Sequence, residues 1–428
     1  MASARRLATC GLLATVAWLP GLPLLGQASS IATAYLGVNV VDVDQGTVAE
    51  GLTLIVADGL IQAIQDAAEP VPAEARVVAM VGYYVVPGLI DAHVHFLDSA
   101  GARNALLSGV TTARSMGSDR FFDVDLREQA EMNPGIYPEV LAAGYHIQRR
   151  VPQSLVALHP ELADLPSDSV PSEEGLRRLA RVQLAYGIDV LKTGGDYRLA
   201  PAAEPGIWRR RWQRFLRWLG LARDPAGQPL SKFGSGPEYQ PMFSQSDFAA
   251  LVAEARAAGV GVAVHAHSDA SARSAARAGV VSIEHGTYLT DSTLAIMADR
   301  GVYLVPSLSR TEWREHAYLE RVRAVVREAQ VRGVPLAAGT DARYTEGAPP
   351  LPGELQAMER AGVPRSAALN AGTVAAARLL GIDDRTGRLE PGYEADFLVL
   401  SANPLEDLTA LDRPLLIVSD GVVVVDRR

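Results

Sequence analysis

The stretch Val85-Val86-Pro87-Gly88-Leu89-Ile90-Asp91-Ala92-His93-Val94-His95-Phe96 constrains this chain more than any other. Val85 to Ile90 is apolar around a Pro-Gly step, and two histidines then follow with one residue between them. Side chains alternate faces along a strand, so His93 and His95 point the same way. Two imidazoles on one strand face suit a single metal ion, because neutral imidazole is a common ligand for zinc and similar ions. A bare His-x-His is as readily a pair of ordinary polar strand residues, so the context decides. An apolar strand that ends in two histidines and runs into a polar turn reads as a barrel strand delivering ligands at its C-terminal end.

From Pro87 onward strands and helices alternate. A helix over Ser172 to Tyr186 opens on Ser172-Glu173-Glu174, where a cap and acids suit an N-terminus, and stops at Gly187 before the strand Ile188 to Lys192. The same sequence of helix, glycine, valine and strand returns at Gly259-Val260, Gly279-Val280, Gly301-Val302 and Gly333-Val334. Its last occurrence predicts a helix over Glu312 to Arg332 and a strand over Val334 to Ala338. Repeated βα units in this number predict an α/β fold of the (β/α)8 TIM barrel type.

Before and after these units the pattern is β. Leu52 to Val56 and Ala75 to Ala79 read as strands, with turn signals at Asp44-Gln45-Gly46 and Asp58-Gly59. Ala395 to Leu400, Leu415 to Ser419 and Val422 to Val425 read as strands at the other end. Both ends are assigned to one small β-sandwich domain. The division is then an export signal at 1–28, the first part of the sandwich at 29–86, the barrel at 87–384 and the second part of the sandwich at 385–428.

The export reading rests on Arg5-Arg6, the largely apolar run Leu7 to Leu25, and small residues at Gly26-Gln27-Ala28; it predicts a secreted or periplasmic protein, with an uncleaved anchor as the alternative. The single cysteine, Cys10, lies inside that segment, so the mature chain would hold no disulfide, Cys nucleophile or Cys ligand. With 428 residues, 48% of them hydrophobic and 21% charged, the chain can bury a large core. A formal net charge of -9 argues against general nucleic-acid binding.

One stretch breaks the rhythm. An insertion at about 200–235 contains Gly206 to Leu221, with Trp208, Trp212, Phe215 and Trp218 at helical spacing and Arg209, Arg210, Arg211, Arg214 and Arg217 between them. That is a basic amphipathic helix. Packing on the barrel, a lid over the site, and contact with an anionic membrane surface are the readings open to it.

Several strand ends carry polar groups of one chemical kind: Lys192, His265 and His267, His285, and Asp341. His93, His95, His265, His285 and Asp341 form an N/O ligand set for zinc or a similar divalent ion. A lysine ammonium is repelled by a dication, so Lys192 serves such a site only when neutral or when CO2 converts it to an anionic carbamate. A salt bridge at the rim is its alternative.

These residues resemble the amidohydrolase superfamily of metal-dependent hydrolases. The likeness is carried by Pro87 to His95, Gly109-Val110-Thr111-Thr112-Ala113-Arg114, Ser282-Ile283-Glu284-His285-Gly286, Ala338-Gly339-Thr340-Asp341 and the closing segment Gly387 to Leu400 with Asn403-Pro404-Leu405. Within it the chain looks most like the imidazolonepropionase-related branch, which includes prolidase-type dipeptidases and ochratoxinase-like carboxypeptidases. The resemblance implies two divalent metals, by default Zn2+. His93, His95 and Asp341 would hold one and His265 and His285 the other, bridged by carboxylated Lys192 and a hydroxide. Asp341 would pass a proton to the leaving amine, and His267 would face the substrate as a donor, with a merely packed histidine as its alternative.

The implied reaction is cleavage of the C–N amide bond of a dipeptide or N-acyl amino acid. A cyclic amide hydrolase, a lactonase or esterase, and a non-catalytic membrane- or partner-binding protein are the alternatives. The branch usually carries Gly-Gly-His where this chain has Gly144-Tyr145-His146, so His146, with Arg149 or Arg150 nearby, is a candidate substrate contact. Tyr239 is a second, with Phe243 competing for its place. His159 and His316 are assigned to surface or packing roles, and a homo-oligomer is expected.

Overall fold

The computed structural model describes residues 31–166, 169–198, 239–311, 316–345 and 350–428. The segment 1–28, the insertion at about 200–235 and the basic helix at 206–221 lie outside the described residues.

The N-terminal segment forms β1 (Thr33–Asp42), β2 (Thr47–Ala57), β3 (Leu60–Asp66), β4 (Arg76–Ala79) and β5 (Tyr84–Pro87). Asp58 and Gly59, both at positive φ, make the two-residue turn between β2 and β3. That handedness matches the twist of paired strands, which is why Asp-Gly marks such hairpins. This sheet takes its remaining strands from the far end of the chain: β15 (Phe397–Leu400), β16 (Leu416–Ser419) and β17 (Val422–Asp426). The order is β17-β16-β15-β5-β1-β2-β3, with β4 beside β1. The junction is β5 against β15, where Val85 faces Val399 and Pro87 faces Phe397. Tyr35, Val38, Val85, Phe397 and Leu416 form its own buried cluster.

Between these ends the chain is mixed α/β, with parallel strands and intervening helices. One parallel sheet holds β6 (Leu89–Val94), β7 (Val110–Ser115) and β8 (Glu139–Leu141). A second holds β9 (Val190–Gly194), β12 (Gly261–Ala266), β13 (Ser282–His285) and β14 (Tyr303–Val305) in that order. The short strands β10 (Asp196–Arg198) and β11 (Tyr239–Pro241) pair with each other. β6, β7 and β9 are buried along their whole length, as expected of strands covered on both faces. The main core packs their apolar side chains against helices such as Glu173–Leu184, Gln245–Ala257 and Leu351–Arg360.

Glycine caps do what their positions in the sequence predict. Gly279 (φ 92) and Gly301 (φ 65) end helices Asp269–Ala278 and Asp291–Arg300 in the left-handed conformation. Two expectations are adjusted. The helix predicted over Glu312 to Arg332 runs over His316–Val331, residues 312–315 being outside the described set. Val334 to Ala338 forms no strand ladder, because Pro335 has no N–H to donate. It still makes backbone bonds to both neighbours: Leu304 N–H donates to Pro335 O at 2.9 Å, and Ala92 N–H to Ala338 O at 2.9 Å. Isolated bridges join Ile147 to Thr193 and Val94 to Ala342.

Candidate metal centre

β6 delivers the histidine pair. His93 is on the strand and buried, whereas His95 lies one residue beyond its end. The His95 N–H donates to Ala342 O at 2.8 Å, which ties that residue to the segment after Asp341. The two side chains converge as alternation requires, their Nε2 atoms 3.4 Å apart.

Asp341 meets them from the opposite end of the α/β region. Its Oδ1 lies 3.6 Å from His93 Nε2 and 3.2 Å from His95 Nε2. Its N–H donates to His93 O at 2.7 Å, which ties the two segments together. Approach this close needs Gly339, since a Cβ there would stand 2.7 Å from His93 Cβ. His93, His95 and Asp341 offer ligand atoms all within 4.8 Å of one another, the only such His/Cys/Asp/Glu trio among the described residues.

A second pair stands beside them. The His265 and His285 rings are 4.7 Å apart, on adjacent strands where Ala266 pairs with His285. His285 is 5.2 Å from His93, ring to ring, and His267 stacks on His285 at 5.1 Å. Asp341 (φ 54) and His285 (φ 72) both adopt the left-handed backbone that non-glycine residues avoid. Strain of this kind persists where surrounding structure enforces it, often at functional sites. At His285 it has a plain consequence. Alternation would send Glu284 and His285 to opposite faces, yet both approach the His93 imidazole.

Lys192, in the middle of β9, is buried, and its Nζ has no hydrogen-bond partner among the described residues. Burial lowers its pKa to about 8, with Arg114 pushing the same way against Glu284 and Asp341. An orphaned amine that is partly neutral near neutral pH is the form that reacts with CO2. The product, an anion, would replace a buried cation that lacks a partner. Burial likewise holds His93 down to about 4, and with neighbouring cationic groups it holds His265, His285 and His146 well below the usual histidine range. All are therefore neutral imidazoles at pH 7, the form that binds metal. The donor set of His93, His95 and Asp341 thus fits a divalent metal, and the neutral imidazoles of His265 and His285 and the Lys192 amine stand beside it.

Glu284 and Arg114 lie within motifs quoted above, but the sequence carried no role for either. Glu284 is fully buried and accepts from His93 Nδ1 at 2.7 Å, Arg114 Nη2 at 3.1 Å and Ser282 Oγ at 2.5 Å. Burial pushes its pKa up, but Arg114 and His93 outweigh that and hold it at about 2. A carboxylate on Nδ1 fixes the tautomer of His93 and turns its Nε2 lone pair toward Asp341 and His95. Asp91 does comparable work on the backbone. It accepts from His93 N–H at 3.1 Å, Thr340 Oγ1 at 2.7 Å and the Tyr344 hydroxyl at 2.7 Å. The available signal was opposite charges placed inside apolar strands at Ala113-Arg114 and Ile283-Glu284, since buried charges require partners.

The candidate substrate contacts divide. The buried His146 Nε2 has no hydrogen-bond partner among the described residues, and the ring lies 6.3 Å from His265. Tyr239 packs on His267 at 4.6 Å, while Phe243 is buried against Phe248 at 5.8 Å. Of these two, only Tyr239 adjoins the histidine cluster. His267 Nδ1 is 2.7 Å from Thr287 Oγ1. The Arg149 guanidinium lies over the Tyr197 ring at 5.2 Å, and Arg150 is exposed. His159 stands apart with Glu161 and Tyr186, and His316 is exposed at a helix start.

Comparison with known proteins gives a consistent picture. The profile of the amidohydrolase family matches residues 209–424. Ochratoxinase from Aspergillus niger is 31% identical over 392 residues, covering 77% of this chain and 72% of that protein. An imidazolonepropionase from Paracoccus denitrificans is 28% identical over 358 residues, covering 77% of this chain and 82% of that protein. A Bifidobacterium longum structure provisionally assigned as a prolidase superposes with a TM-score of 0.69 at 28% identity, covering 92% of this chain and 95% of the other.

Proposed function

This chain belongs to the amidohydrolase family, in its imidazolonepropionase- and prolidase-like branch, and we propose that the amide it hydrolyses is a dipeptide or an N-acyl amino acid. The observation that carries the reading is one cluster: the trio His93, His95 and Asp341 beside His265 and His285, with the unpaired amine of Lys192. His93, His95 and Asp341 would hold one divalent metal, and His265, His285 and carboxylated Lys192 the other. Zn2+ is the default from ligand type. Metals at such a centre supply Lewis acidity, lowering the pKa of water and polarising a carbonyl.

The chain's own groups do the rest. Hydrolysis adds the oxygen of water to the amide carbon, breaks the C–N bond and needs a proton on the leaving nitrogen. Asp341 is the group that takes the water's proton and hands it to that nitrogen. Burial raises the Asp341 pKa, but His95, His93 and Arg310 together hold it below the usual carboxylate range, so it starts as the base. His267 and His146 are substrate-facing donors, and Tyr239 lines the same side as His267. The ochratoxinase and prolidase likenesses support a substrate with an amide-linked amino acid.

The two parallel sheets are read as arcs of one (β/α)8 barrel. The Ile147–Thr193 and Val94–Ala342 bridges and the bonds of residues 335 and 338 support that closure. The shared terminal sheet supports a small β-sandwich domain made from 29–86 and 385–428 around the barrel at 87–384. Export through 1–28 and a homo-oligomeric state complete the proposal, with 206–221 packing on the barrel and a lid or an anionic membrane-surface contact as its alternatives.

A released-amine assay on the mature, metal-replete protein tests the substrate class. The panel is dipeptides, Xaa-Pro included, and N-acyl amino acids. Cleavage of a subset is expected. No cleavage across the panel with two metals bound would refute the substrate class and move the reading to cyclic amides, lactones or esters.

A further inference from the structure

Asp341 is held from two sides. Its Oδ1 is turned to the histidine pair, at 3.2 Å from His95 Nε2. Its Oδ2 is turned to Arg310, whose Nε lies 3.3 Å away. Arg310 also reaches the backbone of the same residue, Nη1 donating to the Asp341 carbonyl at 2.7 Å. An exposed ion pair by itself organises little, because water competes for both charges. A planar guanidinium that grips one residue at both carboxylate and carbonyl is different: it fixes the side-chain torsion relative to the backbone. Asp341 has a left-handed backbone, so its orientation is not the one a relaxed strand end would choose.

Arg310 is itself seated. It lies on the short 3-10 turn Ser309–Thr311, which follows the left-handed Ser307 (φ 50). The fully buried Glu354, on helix Leu351–Arg360, accepts from the N–H groups of Leu308 and Ser309, each at 2.7 Å. A side chain whose two oxygens accept from two successive amides clamps the turn that carries the arginine. The path from Glu354 to Asp341 therefore runs through two amide bonds to the turn and two guanidinium contacts from Arg310.

We propose that Arg310 is a positioning residue for the metal centre: it locks the Asp341 carboxylate so that Oδ1 stays presented to His93 and His95, and the Glu354-clamped turn holds Arg310 in place. This rests on the assignment of Asp341 as a metal ligand. Arg310 is 41% exposed, so replacing it leaves the core intact.

The test uses the full mature protein with Arg310→Met and Arg310→Lys. Metal affinity is read by chelator competition, and kcat and KM are read on any substrate the wild type cleaves. The Met variant should bind metal about 10- to 100-fold more weakly, the range seen when an outer partner of a ligand is lost. Its kcat should fall while KM stays within about twofold, since ordered ligation and not substrate contact is damaged. The Lys variant should recover only part of both losses, because an ammonium restores charge but not the two-point grip. Metal affinity and kcat unchanged in Arg310→Met would overturn the inference. So would full recovery in Arg310→Lys, or a rise in KM alone, which would mark a substrate anchor. If the Met variant fails to fold, wild-type metal affinity in the Lys variant overturns it. The two readings fail separately. A wild type that cleaves nothing while Arg310→Met loses metal refutes the substrate class and supports the positioning role. Cleavage by the wild type with undiminished metal binding in Arg310→Met does the reverse.

Discussion

Replacing Glu284 by glutamine isolates a buried charge that serves both the stability of the α/β region and the orientation of His93. The carboxylate sits between His93 Nδ1 at 2.7 Å and Arg114 Nη2 at 3.1 Å, and both neighbours are 1% exposed. Its pKa falls from 4.5 to about 2 on folding, burial raising it and Arg114 and His93 lowering it further. At about 1.4 kcal/mol per tenfold, that drop corresponds to a stabilisation on the order of 3 kcal/mol from the ionised group. Breaking a buried pair and leaving Arg114 with a neutral neighbour gives a similar figure, roughly 3–5 kcal/mol. A depressed pKa contributes stability that is present above the unfolded value and lost as pH falls through the folded value. The deficit of the variant should therefore be full at pH 7 and shrink between 4.5 and about 2. Urea titrations of metal-free wild type and Glu284→Gln, at pH 7 and again near pH 3.5, read this directly. Chelator competition should show metal held about 10- to 100-fold more weakly, because the His93 tautomer is no longer dictated. A variant within about 1 kcal/mol of wild type at pH 7, with unchanged metal affinity, would refute the assignment of Glu284 as the common support of Arg114 and His93.

Two further predictions follow from other buried groups. Lys192→Ala should leave about one metal per chain in place of two and lower kcat by at least about 100-fold; metal analysis showing both metals, with full activity, would remove Lys192 from the site. Burial raises the Glu354 pKa from 4.5 to about 7 against the pull of the Ser309 and Leu308 amides, so its contribution is full below pH 4.5 and is lost as pH rises through 7. Glu354→Gln should then gain on wild type by up to about 3 kcal/mol between pH 5 and pH 8, and equal urea midpoint differences at both pH values would contradict this.

The sequence by itself carried the repeat of strand and helix, the glycine stops, the two β ends and the polar residues of the candidate ligand cluster. These are local signals: periodicity, φ preferences and residue chemistry act within a few positions of themselves. The convergence of His93 and His95 needed only strand alternation. Tertiary structure decided the rest. Residues 334–338 lose their expected ladder because Pro335 cannot donate, yet their backbone is used by strands far away in sequence. His285 and Asp341 reach the centre through left-handed backbone that their own side chains disfavour, so only the surrounding packing can impose it. Glu284, Arg114, Glu354 and Arg310 acquire meaning only from partners up to 191 residues away. A buried charge announces that it must be paired, but which residue pairs with it is settled by burial and long-range contact.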